Sequence, residues 1–269
     1  MDTQTHTLKW RARSGRADLI IFMAWVLGLA LCSWAFQVMT ENTIWAFVTD
    51  APAQAADIGS RMMPPDWFYI NELLWPMWET LNIATLGTLL GTLIATPIAF
   101  LAAGNTTPSK VFVRPVALFI IVASRSINSL IWALLLVAIV GPGVLAGVIA
   151  IALRSIGFIG KLLYEAIEEV DPTQVEAMSA TGAGTSQVMA WGILPQVAPT
   201  LVGISIFRWD INIRESTVLG LVGAGGIGMK LESALSTLAW PKVSMLLIAI
   251  FATVLVSEWV TAKVRQRLI

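Results

Sequence analysis

Long stretches of hydrophobic residues divide this chain into six candidate membrane-spanning helices. The first, residues 19–36, would extend about 27 Å as an α-helix, close to the hydrocarbon thickness of a bilayer. Five further stretches of similar character follow it, at residues 81–103, 116–140, 144–159, 197–222 and 243–260. The pattern therefore predicts an all-α polytopic membrane protein with about six transmembrane helices.

Composition supports lipid as the main surroundings of the chain. Of its 269 residues 57% are hydrophobic and 13% are charged, and the mean hydropathy is +0.76. A soluble domain has about 45–50% apolar and about 25% charged residues, so an ordinary water-soluble fold is excluded. The net charge of zero gives no basic field for nucleic acid. The single cysteine, Cys32, is expected to pack among apolar residues.

Charges between the spans predict the orientation. Residues 1–18 form a basic tail without a cleavage site after the first helix, so both are expected to be retained, with the N-terminus in the cytoplasm. Residues 41–78 carry five acids and one base, together with aromatic residues typical of the water–lipid boundary, and are expected to be extracytoplasmic. We divide the chain into this tail, a first helix at 19–40, that outer segment, and a core at 79–269. Basic residues after the sixth span place the C-terminus in the cytoplasm.

Several ionisable residues fall inside the predicted spans, where each costs about 2.5–3.5 kcal/mol unless it is paired or faces water. Asp210 and Arg214 are spaced for an ion pair on one helix face, and Asp210 and Glu215 are the expected helix-pairing groups. No partner is evident for Arg125 or Arg208 in their own spans. Arg154 could bind a neighbouring carbonyl or water, or line a pore. An excess of guanidinium favours an anionic solute, and the predicted pathway residues are Arg125, Asn128, Arg208 and Arg214.

The segment 223–228 satisfies the dinucleotide-binding pattern G-x-G-x-x-G, but its context does not. That pattern requires a preceding strand and an acid about twenty residues later. We instead expect a tight helix end and close backbone packing at a gate, formed by Gly223, Gly225, Gly226 and Gly228. The only histidine is His6, and no metal or nucleophile constellation is present in the sequence. We therefore expect a non-enzymatic chain without a cofactor of its own.

A polar segment at about 162–195 separates the fourth and fifth spans and is expected to lie in the cytoplasm. A short helix, a glycine break and a second helix with proline would form a rigid knob, suited to a groove on a soluble partner. The alternative is a surface helix pair without a partner. The segment resembles the EAA loop of importer-type ABC transporter permeases, whose pattern is E-A-A, three residues, G, nine residues and I-x-L-P. The matching residues, which would couple to an ATPase, are Glu176, Ala177, Gly182, Leu194 and Pro195. Met178 and Gly192 depart from the pattern.

Further blocks resemble the permease subunit of phosphonate importers. They are residues 79–84, 125–128, 157–168, 194–196 and 212–214, with 222–228 at the end. The last block is shared with methionine importer permeases and is less specific. Phosphite and hypophosphite importers are similar to this family, so the resemblance implies an oxyanion of reduced or carbon-bonded phosphorus as the solute.

The resemblance also implies an assembly. A type I ABC importer permease would form a homodimer in the bacterial cytoplasmic membrane and bind a cytoplasmic ATPase dimer that holds ATP and magnesium. An extracytoplasmic binding protein would deliver the solute, and ATP would drive alternating access. Three alternatives remain open: an ion-coupled secondary transporter using Asp210 and Glu215, an intramembrane enzyme or lipid-handling protein, and an importer permease for methionine.

Overall fold

The structure is a computed structural model that describes the backbone of residues 15–268 and the side chains of residues 15–266. Most of the predicted basic tail, including His6, lies outside the described residues. The described part is helical and contains no strand. Its α-helices are α1 (Gly15–Thr40), α2 (Trp45–Arg61), α3 (Ile70–Ala102), α4 (Val113–Ser126), α5 (Ser129–Val140), α6 (Val144–Glu168), α7 (Pro172–Ala180), α8 (Thr185–Gln187), α9 (Leu194–Gly220), α10 (Ile227–Ser236) and α11 (Trp240–Leu268). A 3₁₀ turn precedes α3, and a π-helix, Val188–Ile193, leads into α9.

The described residues divide into two compact units, one up to Asp57 and the other from Ile58 onwards. In the first unit, α1 is a 26-residue apolar helix that buries none of its side chains. A helix that is hydrophobic on all sides is expected where lipid surrounds it. The second unit contains the helix bundle and every site described below.

The bundle is built around the contact between α3 and α6. Small residues on α3 let the two backbones approach closely, as is common for membrane helices. At Gly91 an added Cβ would lie 2.6 Å from the Cβ of Ser155, so no larger residue fits there without a shift. Helices α4, α5 and α9 pack around this pair, and α10 and α11 complete the bundle.

The third predicted span is not one straight helix. Helices α4 and α5 are bent by 89° at the intervening residues. Asn128 has extended backbone angles, and its side-chain oxygen accepts a hydrogen bond from the backbone nitrogen of Leu130 at 3.1 Å, which caps α5. The prediction of a single helix was wrong because the polar residues before Leu130 end one helix and cap the next. Five described helices can span a membrane, or six segments if this pair counts as one.

Several predicted boundaries also differ from the helices observed. Helix α3 begins at Ile70, inside the predicted outer segment, and that segment also contains α2. Helix α6 continues to Glu168, so the predicted polar loop begins as part of a helix. The short helix α10 was not predicted. Hydropathy indicates the part of a helix that lies in lipid, whereas backbone hydrogen bonding continues into the polar boundary.

Candidate functional site

Arg208 is buried in the middle of α9, with 2% of its surface exposed. Its Nε donates to the hydroxyl of Ser155 at 3.1 Å, and its Nη2 lies 3.2 Å from Oε2 of Glu215. Its guanidinium carbon also lies 5.3 Å from the ring centre of Phe158. The expectation that Arg208 has no partner in its own span was wrong, because Glu215 lies two helical turns away on the same side of α9.

Glu215 is shared between two helices. Its Oε1 lies 3.4 Å from Nε of Arg154 on α6, while its other oxygen binds Arg208 on its own helix. One carboxylate therefore faces two guanidinium groups and joins α6 to α9. Arg154 is 30% exposed at its side chain, which makes it the most exposed member of this group.

Arg214 makes the second set of ion pairs and joins α9 to α11. Its Nη2 donates to Oδ2 of Asp210, and its Nη1 donates to Oε1 of Glu258 at 2.9 Å. The other oxygen of Asp210 accepts from the hydroxyl of Ser257 at 2.9 Å. Within the described bundle, this cluster has three guanidiniums and three carboxylates, from Arg154, Arg208, Arg214, Asp210, Glu215 and Glu258. Its charges therefore balance.

Asn212 is a buried polar residue at the centre of the bundle that the sequence analysis did not select. Its amide nitrogen donates to the hydroxyl of Thr88 at 2.7 Å and to that of Ser155 at 3.1 Å. These bonds connect α9 to both α3 and α6. In the sequence, Asn212 follows two charged residues and precedes two others within a predicted apolar span. A polar residue at that position was the signal that could have selected it.

A cavity of about 300 Å³ opens beside the cluster, at the junction of α5, α6 and α9. Its polar lining comes from Asn128, Ser129, Arg154, Arg214 and Glu215. Two of the four predicted pathway residues, Asn128 and Arg214, therefore lie at one cavity, and Arg154 joins them.

The other two predicted pathway residues lie elsewhere. Arg208 is bound to Glu215, and only Glu215 of this pair lines the cavity. Arg125 is exposed in the last turn of α4. Its side chain passes close to Gly157 of α6, since a Cβ added to that glycine would lie 2.6 Å from Cγ of Arg125. The assignment of a solute pathway to these four residues remains a prediction.

The glycine segment forms a tight connection between α9 and α10. Gly223, Gly225 and Gly226 have φ values of 89°, 87° and 74°, which favour glycine. Gly228 packs against the backbone of α9 at Gly220. The first amides of α10 are already bound, since Gly226 donates to Glu79 at 3.3 Å and Ile227 to the hydroxyl of Thr80 at 2.9 Å. The segment follows a helix and not the strand that a dinucleotide-binding turn requires, and its gate function stays a prediction.

The polar segment between α6 and α9 is a compact hairpin, which we call the coupling hairpin and define as residues 171–195. Asp171 caps α7 by accepting a hydrogen bond from the backbone nitrogen of Thr173 at 2.9 Å. That bond lowers the pKa of the Asp171 carboxyl below its ordinary value. Gly182 follows α7 with a φ of 80°. Gln196 then ties the two sides together through the backbone nitrogen of Asp171 at 3.0 Å and the carbonyl of Gly192 at 2.7 Å.

The coupling hairpin is anchored on one side and exposed on the other. Ile193 and Val197 are buried against Leu163 and Ile167 of α6. All five predicted coupling residues are exposed, namely Glu176, Ala177, Gly182, Leu194 and Pro195. Trp191, which the sequence analysis did not select, is 73% exposed beside them. A large aromatic residue in an otherwise polar segment was the signal for it.

Comparison with known proteins identifies the family. Residues 95–269 match the family described as binding-protein-dependent transport system inner membrane component, and the chain belongs to it. It is 34% identical over 257 residues to the putative phosphite transport system permease protein HtxC of Stutzerimonas stutzeri, covering 95% of this chain and 87% of the relative. It is 41% identical over 199 residues to the phosphite transport system permease protein PtxC of the same organism, covering 74% and 72%. The resemblance stated from the sequence is thus confirmed.

Solved structures agree on the fold. An inward-facing structure of the methionine ABC transporter MetNI aligns with a TM-score of 0.62 and 21% identity, covering 73% of this chain and 96% of that chain. This likeness confirms the expected all-α fold of a type I importer permease. The chain is a multi-pass inner-membrane component of a transport system that depends on a binding protein.

Proposed function

We propose that this chain is the membrane-spanning permease of an ATP-driven importer for phosphonate, phosphite or a related phosphorus oxyanion. The observation that carries the proposal is the 34% identity to a phosphite permease protein over 95% of the chain. The chain would provide the path across the membrane, while ATP and magnesium would bind to a separate ATPase.

The polar cavity is the proposed place where the anion pauses. Arg154 and Arg214 would bind its oxygens as charged donors, and Asn128 would contribute its side-chain amide. A volume of about 300 Å³ admits a small oxyanion with some of its water. Arg125 and Arg208 remain proposed pathway groups that favour an anion by their charge. Asp210 and Glu215 are proposed to keep α9 paired with its neighbours.

The proposed assembly contains two copies of this chain. Side chains of Arg154, Arg214 and Glu258 are 30%, 41% and 55% exposed within membrane-spanning helices. Lipid cannot cover such groups without a large cost, so a second copy and a water-filled path are proposed to cover them. The glycine segment, Gly223 to Gly228, is proposed to act as a gate at one end of this path.

The coupling hairpin is the proposed contact with a dimeric cytoplasmic ATPase. Its exposed tryptophan and its anchored underside suit a groove on a soluble protein, because a rigid protrusion can transmit the motion of its partner. An extracytoplasmic binding protein would deliver the anion, and both termini of the permease would lie in the cytoplasm.

Uptake in cells tests this proposal against ion coupling. Cells that contain the complete system should keep importing phosphite or methylphosphonate after an uncoupler collapses the ion gradients, provided that ATP is held constant. Loss of the ATPase gene should abolish that uptake. Uptake that stops with the uncoupler and continues without the ATPase would instead support the secondary-transporter alternative, driven through Asp210 and Glu215. Import of methionine in place of the phosphorus compounds would reject the proposed substrate class.

A further inference from the structure

Two cavities are lined by Arg214 and by its two ion-pair partners, Asp210 and Glu258. The first is the polar cavity described above, which α9 lines with Ile211, Arg214 and residues closer to Gly220. The second, of about 570 Å³, is lined by Phe207 and Asp210 of α9 and by Glu258 and Arg265 of α11. The residues of α9 that line the second cavity come earlier in the helix than those that line the first. The second cavity is therefore nearer to the start of α9 and to the coupling hairpin.

The ion pairs of Arg214 join residues that line different cavities. Arg214 itself lines the first cavity, whereas both of its carboxylate partners, Asp210 and Glu258, line the second. The side chain of Arg214 is 41% exposed and that of Glu258 is 55% exposed. The pair with Glu258 is exposed on both sides, so it is weak and can exchange. Asp210 is 8% exposed and also accepts from Ser257, so it stays in place when Arg214 moves.

The charges around Arg214 make the passage of an anion depend on whether Arg214 is paired with its two carboxylates. An anion that leaves the first cavity for the second must pass two carboxylates, which repel it while they face the path. An anion in the first cavity also competes with those carboxylates for the same guanidinium fork. When Arg214 binds both carboxylates, its contact with Glu258 ties α9 to α11. When Arg214 turns to the anion, the tie between the two helices is released.

We propose that Arg214, Asp210 and Glu258 form a latch that closes the passage between the two cavities, and that the transported anion opens it by taking Arg214. This inference rests on the proposed function, because it assigns that path a closing device and gives Glu258 a role. The latch differs from a structural ion pair, since its loss must open a leak for anions and not merely destabilise the bundle.

Leakage from proteoliposomes tests the latch. The assembled permease and ATPase are reconstituted, the vesicles are loaded with radiolabelled phosphite, and efflux is followed without ATP or binding protein. The variant Glu258→Gln removes one charge from an exposed side chain and should raise efflux about fivefold. The double variant Asp210→Asn with Arg214→Gln removes both charges of the ion pair within α9, so no buried charge is left unpaired. It should leak faster than Glu258→Gln. Glu232→Gln, on the exposed surface of α10, is the matched control and should leave efflux at the wild-type level.

The outcomes separate the latch from the proposed function. Wild-type efflux in Glu258→Gln would overturn the latch, and so would a lower unfolding temperature in that variant without any leak. If the double variant does not assemble, the single variant still decides. Energised uptake by the wild-type complex is measured in the same vesicles with ATP and binding protein. Its absence would contradict the proposed function, whereas the difference in passive efflux concerns the latch alone.

Discussion

Glu215 binds Arg208 from two turns away on the same helix, with 3.2 Å between Oε2 and Nη2. Arg208 is 3% exposed at its side chain and Glu215 is 20% exposed. The pair allows a guanidinium to remain inside a membrane-spanning helix, because a carboxylate of the same helix compensates its charge. Arg154 then attaches this pair to α6.

Glu215→Ala should strongly destabilise the permease. The substitution leaves Arg208 buried without its carboxylate, a loss that costs about 3–5 kcal/mol in buried pairs. Thermal unfolding of the purified permease in detergent should show a clearly lower midpoint. The double variant Arg208→Met with Glu215→Met removes both charges and should be less destabilised than Glu215→Ala. Glu165→Gln, which breaks a half-exposed pair with Lys161, is the control and should change stability by less than about 1 kcal/mol. Equal midpoints for Glu215→Ala and Glu165→Gln would refute the stabilising role.

Gly182→Ala should weaken the association of the ATPase through backbone strain alone. The φ of Gly182 is 80°, and nothing lies within 4 Å of an added Cβ, so steric overlap does not contribute. Alanine disfavours this conformation by about 1–2 kcal/mol, so the free loop of the variant relaxes to another one and the ATPase must restore it on binding. That penalty corresponds to roughly five- to thirtyfold weaker binding. Asparagine tolerates this conformation better, so Gly182→Asn should retain more binding.

Gly184→Ala is the matched control in the same loop. Its φ of −69° suits any residue, and an added Cβ would come no closer than 4.0 Å to Gln187. Binding of the ATPase, measured by co-purification and by titration of the detergent-solubilised permease, should remain at the wild-type level. Equal weakening by the two alanine variants would show that strain at Gly182 is not the cause.

Trp191→Ala should detach the ATPase while the permease stays folded. The side chain is 73% exposed, so its removal costs the isolated permease little. Exposed tryptophans at the centre of an interface contribute about 2 kcal/mol or more, which predicts roughly thirtyfold weaker binding. Trp75→Ala on α3, where the ring is 68% exposed, should leave the affinity unchanged. Unchanged affinity in Trp191→Ala would place the docking surface elsewhere.

The cap of α7 should titrate only at low pH. The hydrogen bond from Thr173 lowers the pKa of Asp171, so the carboxylate stabilises the folded helix above the ordinary aspartate pKa of about 3.9. That stabilisation is lost as the pH falls through the lower pKa of the folded state. Amide exchange at Thr173, corrected for the intrinsic rate at each pH, should show protection that is constant between pH 5 and 8 and declines below about pH 4.

Asp171→Ser separates the cap from its charge. Serine also caps helices but does not titrate in this range, so the variant should keep its protection without the decline at low pH. A parallel decline in both proteins would show that another group controls the pH dependence of the hairpin.

The positions of the long helices followed from hydropathy because lipid demands continuous apolar segments. The break between α4 and α5 did not, since the short polar run at residues 124–129 is averaged with the long apolar stretches on both sides of it. The turn-forming chemistry of Ser126 and Asn128 gives the signal, and it has to be read residue by residue. Helix ends such as Ile70 and Glu168 were missed for the reason that polar boundary regions permit helix as well as loop.

The short helix, the glycine break and the second helix of the coupling hairpin could be predicted because their pattern is local, while the coupling role of the hairpin stays a prediction. Glu176, Gly182 and Pro195 lie on one continuous piece of chain, so their spacing can be read without knowing how helices pack. The charge cluster depends on packing between helices, so Arg154 and Glu258 could not be placed beside α9 from their sequence positions. The i, i+4 spacing of Asp210 and Arg214 was the one contact in this cluster that the sequence alone could indicate.

The most direct measurement is uptake by the assembled complex in proteoliposomes. Radiolabelled methylphosphonate, phosphite, hypophosphite and phosphate are each supplied with the binding protein, in vesicles without ion gradients and with ATP enclosed on the ATPase side. The account predicts ATP-dependent accumulation of at least one of the first three compounds, abolished when the ATPase is omitted. Accumulation that needs an ion gradient and no ATP, or ATP-driven import that ignores all four phosphorus compounds, would contradict it.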